Sequence, residues 1–271
     1  MARGPTYYPS KRICIYCGAK DRPLNDEHIV PYSLSGMHVI RCASCAKCED
    51  MTKRFKQKVA RDLWGDARTS FQQPTRRKRE RRTHIEMPEA NGQSVQLVTA
   101  SEYPAGFVFY KMGPCGFLQG LPETTDISPS WQFVVIDDDK RRDAFFKGYG
   151  HHAVLKFRNV PEDFGRLLAK IAYCQVLTAL DPGEFRPLIL PYITGAKRNL
   201  SYLVGSVDGV PEANNGYRLT TMYSERDQDL ILLVEVRLYA NTHAPTYQVV
   251  VGDVTGAEAS KQARYKLAQA H

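Results

Sequence analysis

Apolar residues with helical spacing follow a cysteine-rich segment near the N terminus. Every fourth position is apolar there, which predicts one buried face of a helix. These positions are Met51, Phe55, Val59 and Leu63. Gly65 follows them and is of a type that commonly ends a helix. The other faces of this predicted amphipathic helix carry Lys53, Arg54, Lys56, Lys58 and Arg61.

Beyond about residue 93, the pattern changes to short runs rich in valine, leucine and aromatic residues, which predict strands. These runs are residues 96–100, 106–110, 131–136, 153–157, 230–239 and 247–252. The run at 230–239 alternates in the manner of a half-buried antiparallel strand. One long, almost wholly apolar segment at 161–180 predicts a buried helix. The last 14 residues are compatible with a surface helix.

Length and composition place these elements in a globular protein of 271 residues, 43% hydrophobic and 24% charged. We expect a cysteine-rich module at residues 1–70, a basic linker at 71–92 and a mixed, largely antiparallel α+β domain at 93–271. No apolar run approaches the roughly 20 residues that span a bilayer. The N terminus has no secretory signal pattern, so we expect a cytoplasmic protein with no membrane partner.

Positive charge is concentrated in the first third of the chain. The first 82 residues carry 19 Lys and Arg against 8 Asp and Glu, whereas the rest carry 18 against 21. This asymmetry favours a polyanionic partner, although a solubilising or spacer role for the basic run after residue 75 stays open. The candidate nucleic-acid contacts are Lys53, Arg54, Lys58, Arg61, Arg76, Arg77, Lys78 and Arg79.

Five of the seven cysteines lie between residues 14 and 48, a density that favours metal ligation in an unexported protein. Two CxxC pairs, Cys14 with Cys17 and Cys45 with Cys48, predict a closed tetrahedral site for structural Zn²⁺. Cys42 forms a competing CxxC with Cys45. We favour Cys45 and Cys48 because they directly precede the predicted helix, whose N-terminal amides stabilise thiolates.

The segment between these pairs, Glu27-His28-Ile29-Val30-Pro31, resembles the first motif of the HNH (ββα-metal) endonucleases, many of which hold that motif with two CxxC pairs. The resemblance covers about residues 12–65 and implies a zinc-stapled ββα module. It implies that His28 is the general base that activates water, and that Glu27 holds a catalytic Mg²⁺ or Mn²⁺ ion. Because adjacent residues on a strand point to opposite faces, a local bend must bring both to one site.

The match weakens after the last cysteine. The family commonly has an asparagine there and a further ligand along the helix, whereas this chain has Glu49 and Asp50 and no histidine between His38 and His84. Glu49 or Asp50 is a candidate second ligand of the catalytic ion. Both are equally consistent with the start of a helix, where acidic residues are favoured.

The resulting expectation is a metal-dependent HNH endonuclease that cleaves DNA and, by analogy with small bacterial HNH proteins, serves in restriction or anti-phage defence. Two alternatives stay open: a zinc-ribbon protein that binds nucleic acid without cutting it, and a ribonuclease on the same motif. Residues 93–271 carry no motif that assigns a role. Target choice, homo-oligomerisation and control by a regulatory ligand all remain candidates for them.

Overall fold

The computed structural model describes residues 4–75, 79, 81–88, 95–150, 154–212 and 216–269. Within these residues the chain is a mixed α+β protein, which confirms the predicted fold class. The pairs of strands are antiparallel except for one, so the largely antiparallel character is also confirmed for the described part of the chain.

The N-terminal part is a three-stranded sheet followed by a helix. Strands β1 (Thr6–Tyr8), β2 (Leu24–His28) and β3 (His38–Cys45) lie in the order β1-β3-β2, and β2 and β3 are antiparallel. The loop that carries Cys14 and Cys17 lies between β1 and β2 in the chain, and the antiparallel partner of β2 is β3. Helix α1 (Ala46–Lys58) begins directly after β3.

The predicted helical stripe is confirmed. Phe55 and Val59 are fully buried and Leu63 is 2% exposed. Gly65 does not end the helix as expected. The chain widens into a π-helical segment at Val59–Leu63, and Gly65 begins a second short helix, α2 (Gly65–Ser70).

The larger part is built on a four-stranded antiparallel sheet in the order β8-β11-β10-β9. Its strands are β8 (Val204–Val207), β9 (Tyr217–Arg226), β10 (Asp229–Leu238) and β11 (Thr246–Val254). Two separate hairpins precede this sheet, β4 (His84–Pro88) with β5 (Val95–Thr99) and β6 (Phe107–Lys111) with β7 (Gln132–Ile136). The helices are α3 (Asp139–Tyr149), α4 (Pro161–Val176), α5 (Leu190–Thr194) and α6 (Ala257–Gln269).

Two sequence predictions for this part were wrong. The expected linker at 71–92 contains strand β4, so it is partly structured. The strand expected at 153–157 does not form at residues 154–157, and residue 153 lies outside the described residues. A strand requires a hydrogen-bonding neighbour, and composition alone does not supply one.

Helix α4 joins the two parts into one core. It packs against β10 and β11 on the large sheet and against α1 of the N-terminal part. Trp64, between the π-helical segment and α2, is 1% exposed and donates its indole N–H to the Val108 carbonyl at 2.6 Å. The centroid of its ring lies 5.3–5.9 Å from the ring centroids of Phe107, Phe109 and Phe164. The predicted module and domain therefore share a continuous apolar core.

Candidate active site beside a four-cysteine cluster

The four predicted zinc ligands, Cys14, Cys17, Cys45 and Cys48, form one cluster. Their sulfur atoms all lie within 4.8 Å of one another, and those of Cys17 and Cys45 are 3.8 Å apart. Tetrahedral Zn–S bonds of about 2.3 Å place sulfur atoms about 3.8 Å apart, so the arrangement fits such an ion. The cluster could hold a structural metal ion such as zinc.

Local backbone structure positions these sulfur atoms. Cys14 and Cys17 lie in a tight turn in which the Gly18 N–H donates to the Cys14 carbonyl at 2.8 Å, and the left-handed φ of 72° at Gly18 suits glycine. Cys45 ends β3 and is the N-cap of α1. Burial raises the pKa of Cys45, but hydrogen bonds from the Cys48 backbone N–H and the neighbouring thiols outweigh burial and bring the pKa to about 7. Burial and the neighbouring thiols raise the pKa of Cys48, so of the two cysteines at this helix start it is Cys45 that favours the thiolate, the form that binds metal.

Cys42 lies outside the cluster and has a different role. It is exposed, and its φ of 44° places its backbone in the left-handed region. Its N–H donates to Asp26 Oδ1 at 3.0 Å. Between the pairs Asn25–Ser44 and Glu27–Ile40, the single residue Asp26 faces three residues of β3. This bulge lies before Glu27. Glu27 and His28 themselves pair in register with Ile40 and Val39, and both residues line one cleft.

Glu27 is held by two lysines. It is 2% exposed, and its Oε1 atom lies 2.7 Å from Lys170 Nζ on α4 and 3.2 Å from Lys56 Nζ on α1. Burial alone raises the pKa of the Glu27 carboxyl, but the two ammonium groups outweigh burial and hold the pKa below its ordinary value. Glu27 is therefore an ionised carboxylate inside a buried ion-pair network.

Lys170 also fixes the backbone of the motif. Its side chain is fully buried, and its ammonium group donates to the His28 carbonyl and, at 3.0 Å, to the Ile29 carbonyl. The His28 ring, which lines the cleft, lies edge-on to Tyr32 with ring centroids 6.2 Å apart. Helix α4, which belongs to the larger part, thus supports the strand end that presents His28.

The cleft mixes acidic and basic side chains. The acids that line it are Asp26, Glu27 and Glu49, and the bases are Lys53, Lys56, Arg61 and Arg68. Glu49 Oε2 accepts a hydrogen bond from Asn25 Nδ2 at 2.6 Å. Asp50 is exposed on α1 and does not line the cleft.

The structure separates the two candidates for the second ligand of a catalytic ion, because Glu49 lines the cleft with Glu27 and Asp50 does not. Throughout the described ranges, the four cysteines are the one group of three or more His, Cys, Asp or Glu side chains with metal-ligand spacing. Glu27 is turned toward ammonium groups, and Asp50 lies outside the cleft. Of the two alternatives for the second ligand, only Glu49 lies beside the motif, and the catalytic ion itself stays a prediction.

The predicted nucleic-acid contacts are divided by the structure. Lys53 and Arg61 line the cleft. Arg54 and Arg79 are exposed, whereas Lys58 Nζ lies 3.1 Å from Asp163 of α4. Arg76, Arg77 and Lys78 lie outside the described residues.

Lys170 is the site residue that sequence analysis missed, although the sequence contains a signal for it. It is the lysine within the apolar segment that was predicted to be a buried helix. A buried ammonium group requires an acidic partner or several hydrogen bonds, so a buried acid elsewhere in the chain was implied. The sequence does not reveal which acid this is.

The chain was compared with protein-family models, with curated proteins and with solved structures, and nothing in any of the three matched it. Among the described residues, no helix is both long and apolar enough to cross a membrane.

Proposed function

We propose that this chain is a nuclease that hydrolyses phosphodiester bonds of DNA at His28, on an HNH-like module held by a structural zinc ion. One observation carries the proposal. His28 lines a cleft together with several cationic side chains, on a β2-β3-α1 unit whose strands and helix meet at the four-cysteine cluster. A binding module without catalysis has no need of an imidazole at that position.

The side chains of the cleft suit attack by water on a phosphodiester. A neutral imidazole has the basicity to take a proton from water near pH 7, which assigns His28 the role of general base. Lys53, Lys56 and Arg61 line the same cleft and supply positive charge to the phosphate oxygens and to the charge that develops on them. Tyr32 packs edge-on to the His28 ring and helps to orient it.

The HNH resemblance implies a Mg²⁺ or Mn²⁺ ion in this cleft, but the acidic side chains fit such an ion poorly. Glu27 Oε1 is already shared by two ammonium groups, and these repel a further cation such as a divalent metal ion. We therefore assign no step to a divalent ion, and its requirement is left to experiment.

The direct test is cleavage by the purified full-length chain. Supercoiled plasmid, linear duplex DNA and RNA are incubated with the protein, each with and without Mg²⁺ or Mn²⁺. We expect nicked or linear DNA products that accumulate with time. Cleavage of RNA alone would show that the protein is a ribonuclease, the alternative that the sequence left open. No cleavage of any substrate would contradict the proposal.

A second candidate function is a zinc-ribbon protein that binds nucleic acid without cutting it. The pairing of Glu27 with Lys56 and Lys170 favours it, because those ammonium groups lie where the resemblance implies a metal ion. If this candidate is right, the purified protein contains zinc and binds duplex DNA but cleaves no substrate. The cleavage assay separates the two functions.

A role in restriction or anti-phage defence is proposed by analogy with small bacterial HNH proteins, and the cytoplasmic location expected from the sequence stays a prediction. Residues 93–271 would then supply target choice, oligomerisation or control by a ligand. Helix α4 gives the larger part a physical route to the cleft, because Lys170 contacts both Glu27 and the motif backbone.

A further inference from the structure

A second cavity adjoins the His28 cleft and is lined mainly by arginines. Arg61, Arg68, Arg81 and Arg82 line it, with Thr69, Gln73 and Thr75 between them. Ala60, Arg61, Arg68 and Thr75 line both cavities. The second cavity is therefore a groove that shares Arg61 and Arg68 with the lining of the His28 cleft.

Two of these arginines are held in place by backbone carbonyl groups. Arg68 donates from Nη1 to the Ala60 carbonyl at 3.3 Å and from Nη2 to the Pro74 carbonyl at 3.1 Å. Arg81 donates from Nη2 to the Gln73 carbonyl at 2.9 Å. Carbonyl groups fix a guanidinium without neutralising its charge. The groove thus presents oriented cations with donors left for another acceptor.

Of the four arginines that line the groove, one is paired with an acid among the described residues. Arg82 pairs with Asp66 at 2.8 Å. Across the part of the chain that the structure describes, no carboxylate lies within ion-pair distance of Arg61, Arg68 or Arg81. Burial lowers the pKa of Arg68, and the charges of Arg81 and Arg61 lower it further. Like charges that repel one another in this way destabilise the fold unless an anion binds between them.

We propose that Arg61, Arg68 and Arg81 form a binding site for backbone phosphate groups of a nucleic acid, next to the position at which His28 acts. The guanidinium fork matches the oxygens of a phosphate, and adjacent phosphates of one strand follow a groove of this kind. The site rests on the proposed function for its ligand class. Arg68 and Arg81 extend the predicted nucleic-acid contacts beyond α1. A phosphate ligand would give these guanidinium groups the anionic partner that the fold does not supply.

The test measures the salt dependence of duplex binding in a His28→Ala background without added divalent ions, so that the duplex stays intact. The test variant is Arg61→Gln with Arg81→Gln, which spares the two backbone hydrogen bonds of Arg68. The matched control is Arg198→Gln, because Arg198 is exposed and lines neither cavity. We expect the slope of log affinity against log salt to fall by up to about 0.9 for each lost phosphate contact in the double variant. The control should keep the parent slope.

Three further measurements decide the interpretation. The loss of affinity should be similar for unrelated duplex sequences, because phosphates carry no base information. Arg68→Gln, made separately, should also reduce the slope, provided that thermal unfolding shows it folded. Pyrophosphate is the competing source of phosphate oxygens. If it raises the unfolding temperature of the parent but not of the double variant while the duplex slope stays unchanged, a free phosphate ligand replaces the nucleic acid and the proposal is wrong.

An unchanged slope in the double variant without any effect of pyrophosphate would overturn the site altogether. This failure differs from failure of the proposed nuclease function. If the protein cleaves DNA but the salt dependence of its duplex affinity is unchanged by loss of Arg61 and Arg81, only the arginine site is wrong. A chain that loses slope with those arginines but never cleaves has the arginine site and lacks only the catalytic activity.

Discussion

Glu27 is the residue whose surroundings differ most from what the motif implies. The sequence places an acid beside His28, and the HNH resemblance makes that acid a metal ligand. In the fold the carboxylate is buried and shared by Lys56 and Lys170. Neither partner was predictable from the motif, because one comes from α1 and the other from α4, far along the chain. The identity of the acid was therefore readable from the sequence, but its partners were not.

Replacing Glu27 tests this network through pH. The folded pKa of Glu27 is lowered, so its contribution to stability is fully present above the unfolded value of about 4.3 and is lost as the pH falls through the folded value. Glu27→Gln leaves two buried ammonium groups without their carboxylate and should cost about 3–5 kcal/mol near pH 7. Urea unfolding from neutral to acid pH should show this difference shrinking below about pH 4.3.

The matched control for this change is Asp50→Asn, because Asp50 is an exposed acid on α1, the helix that carries Lys56. Its effect should stay within about 0.5 kcal/mol. A Glu27→Gln chain as stable as the parent at neutral pH would show that the buried ion pairs do not support the fold.

The cysteines give a second prediction at the residue scale. Cys48→Ser should lose the metal, because Cys48 is one of four sulfur atoms within 4.8 Å of one another. Cys42→Ser should keep it, because Cys42 is exposed in the bulge of β3 and outside the cluster. Elemental analysis of dialysed protein should give about one zinc per chain for the parent and for Cys42→Ser. The opposite pattern would show that Cys42 is the true ligand.

Among the elements, those with a strong period were predicted and those defined by pairing were not. The stripe of α1 and the strands β10 and β11 follow directly from the spacing of apolar residues. The HNH resemblance implied two strands before α1, but their bounds and register were not predicted because pairing depends on register, and the bulge opposite Asp26 has no signature in the sequence. Helix α3 was missed because its first half is a run of charged residues with no apolar period.

Helix α4 links the larger part to the motif, and substitutions of two lysines test how much that link stabilises the fold. Lys170→Met removes a buried ammonium from Glu27 and from two carbonyl groups of the motif, and should destabilise the chain by about 3–5 kcal/mol. Lys58→Met removes a lysine that also pairs across α1 and α4 but is 56% exposed, and should cost about 0–1 kcal/mol. Chemical unfolding of both variants provides the comparison. Equal effects would show that Lys170 is no more important than a surface ion pair.

At the scale of the whole molecule, the chain does not divide at the boundary that its composition suggests. The change from a basic, cysteine-rich sequence to a strand-rich one correctly marks two kinds of architecture. It does not mark two independent cores, because Trp64 is buried by residues of β6 and α4. Composition reports local character, whereas the packing of distant aromatic residues depends on the folded geometry.

A fragment of residues 1–75 should therefore fail to fold even with zinc. It would expose Trp64, Tyr16 and the stripe of α1, and it would leave Glu27 without Lys170. We expect a poorly dispersed proton NMR spectrum and strong binding of a hydrophobic dye, in contrast to the full-length chain. A zinc-loaded fragment with a dispersed spectrum would show that the N-terminal part is autonomous.

The central claim, that His28 is the general base of a nuclease cleft, is tested most directly by the rate of DNA cleavage in His28→Ala. Loss of a general base commonly lowers the rate by about 10²- to 10⁴-fold. We predict a loss of that size with unchanged zinc content, thermal stability and duplex affinity, because the His28 side chain lines the cleft and belongs to neither the cysteine cluster nor the ion pairs of Glu27. Cleavage by His28→Ala at the parent rate would contradict the account.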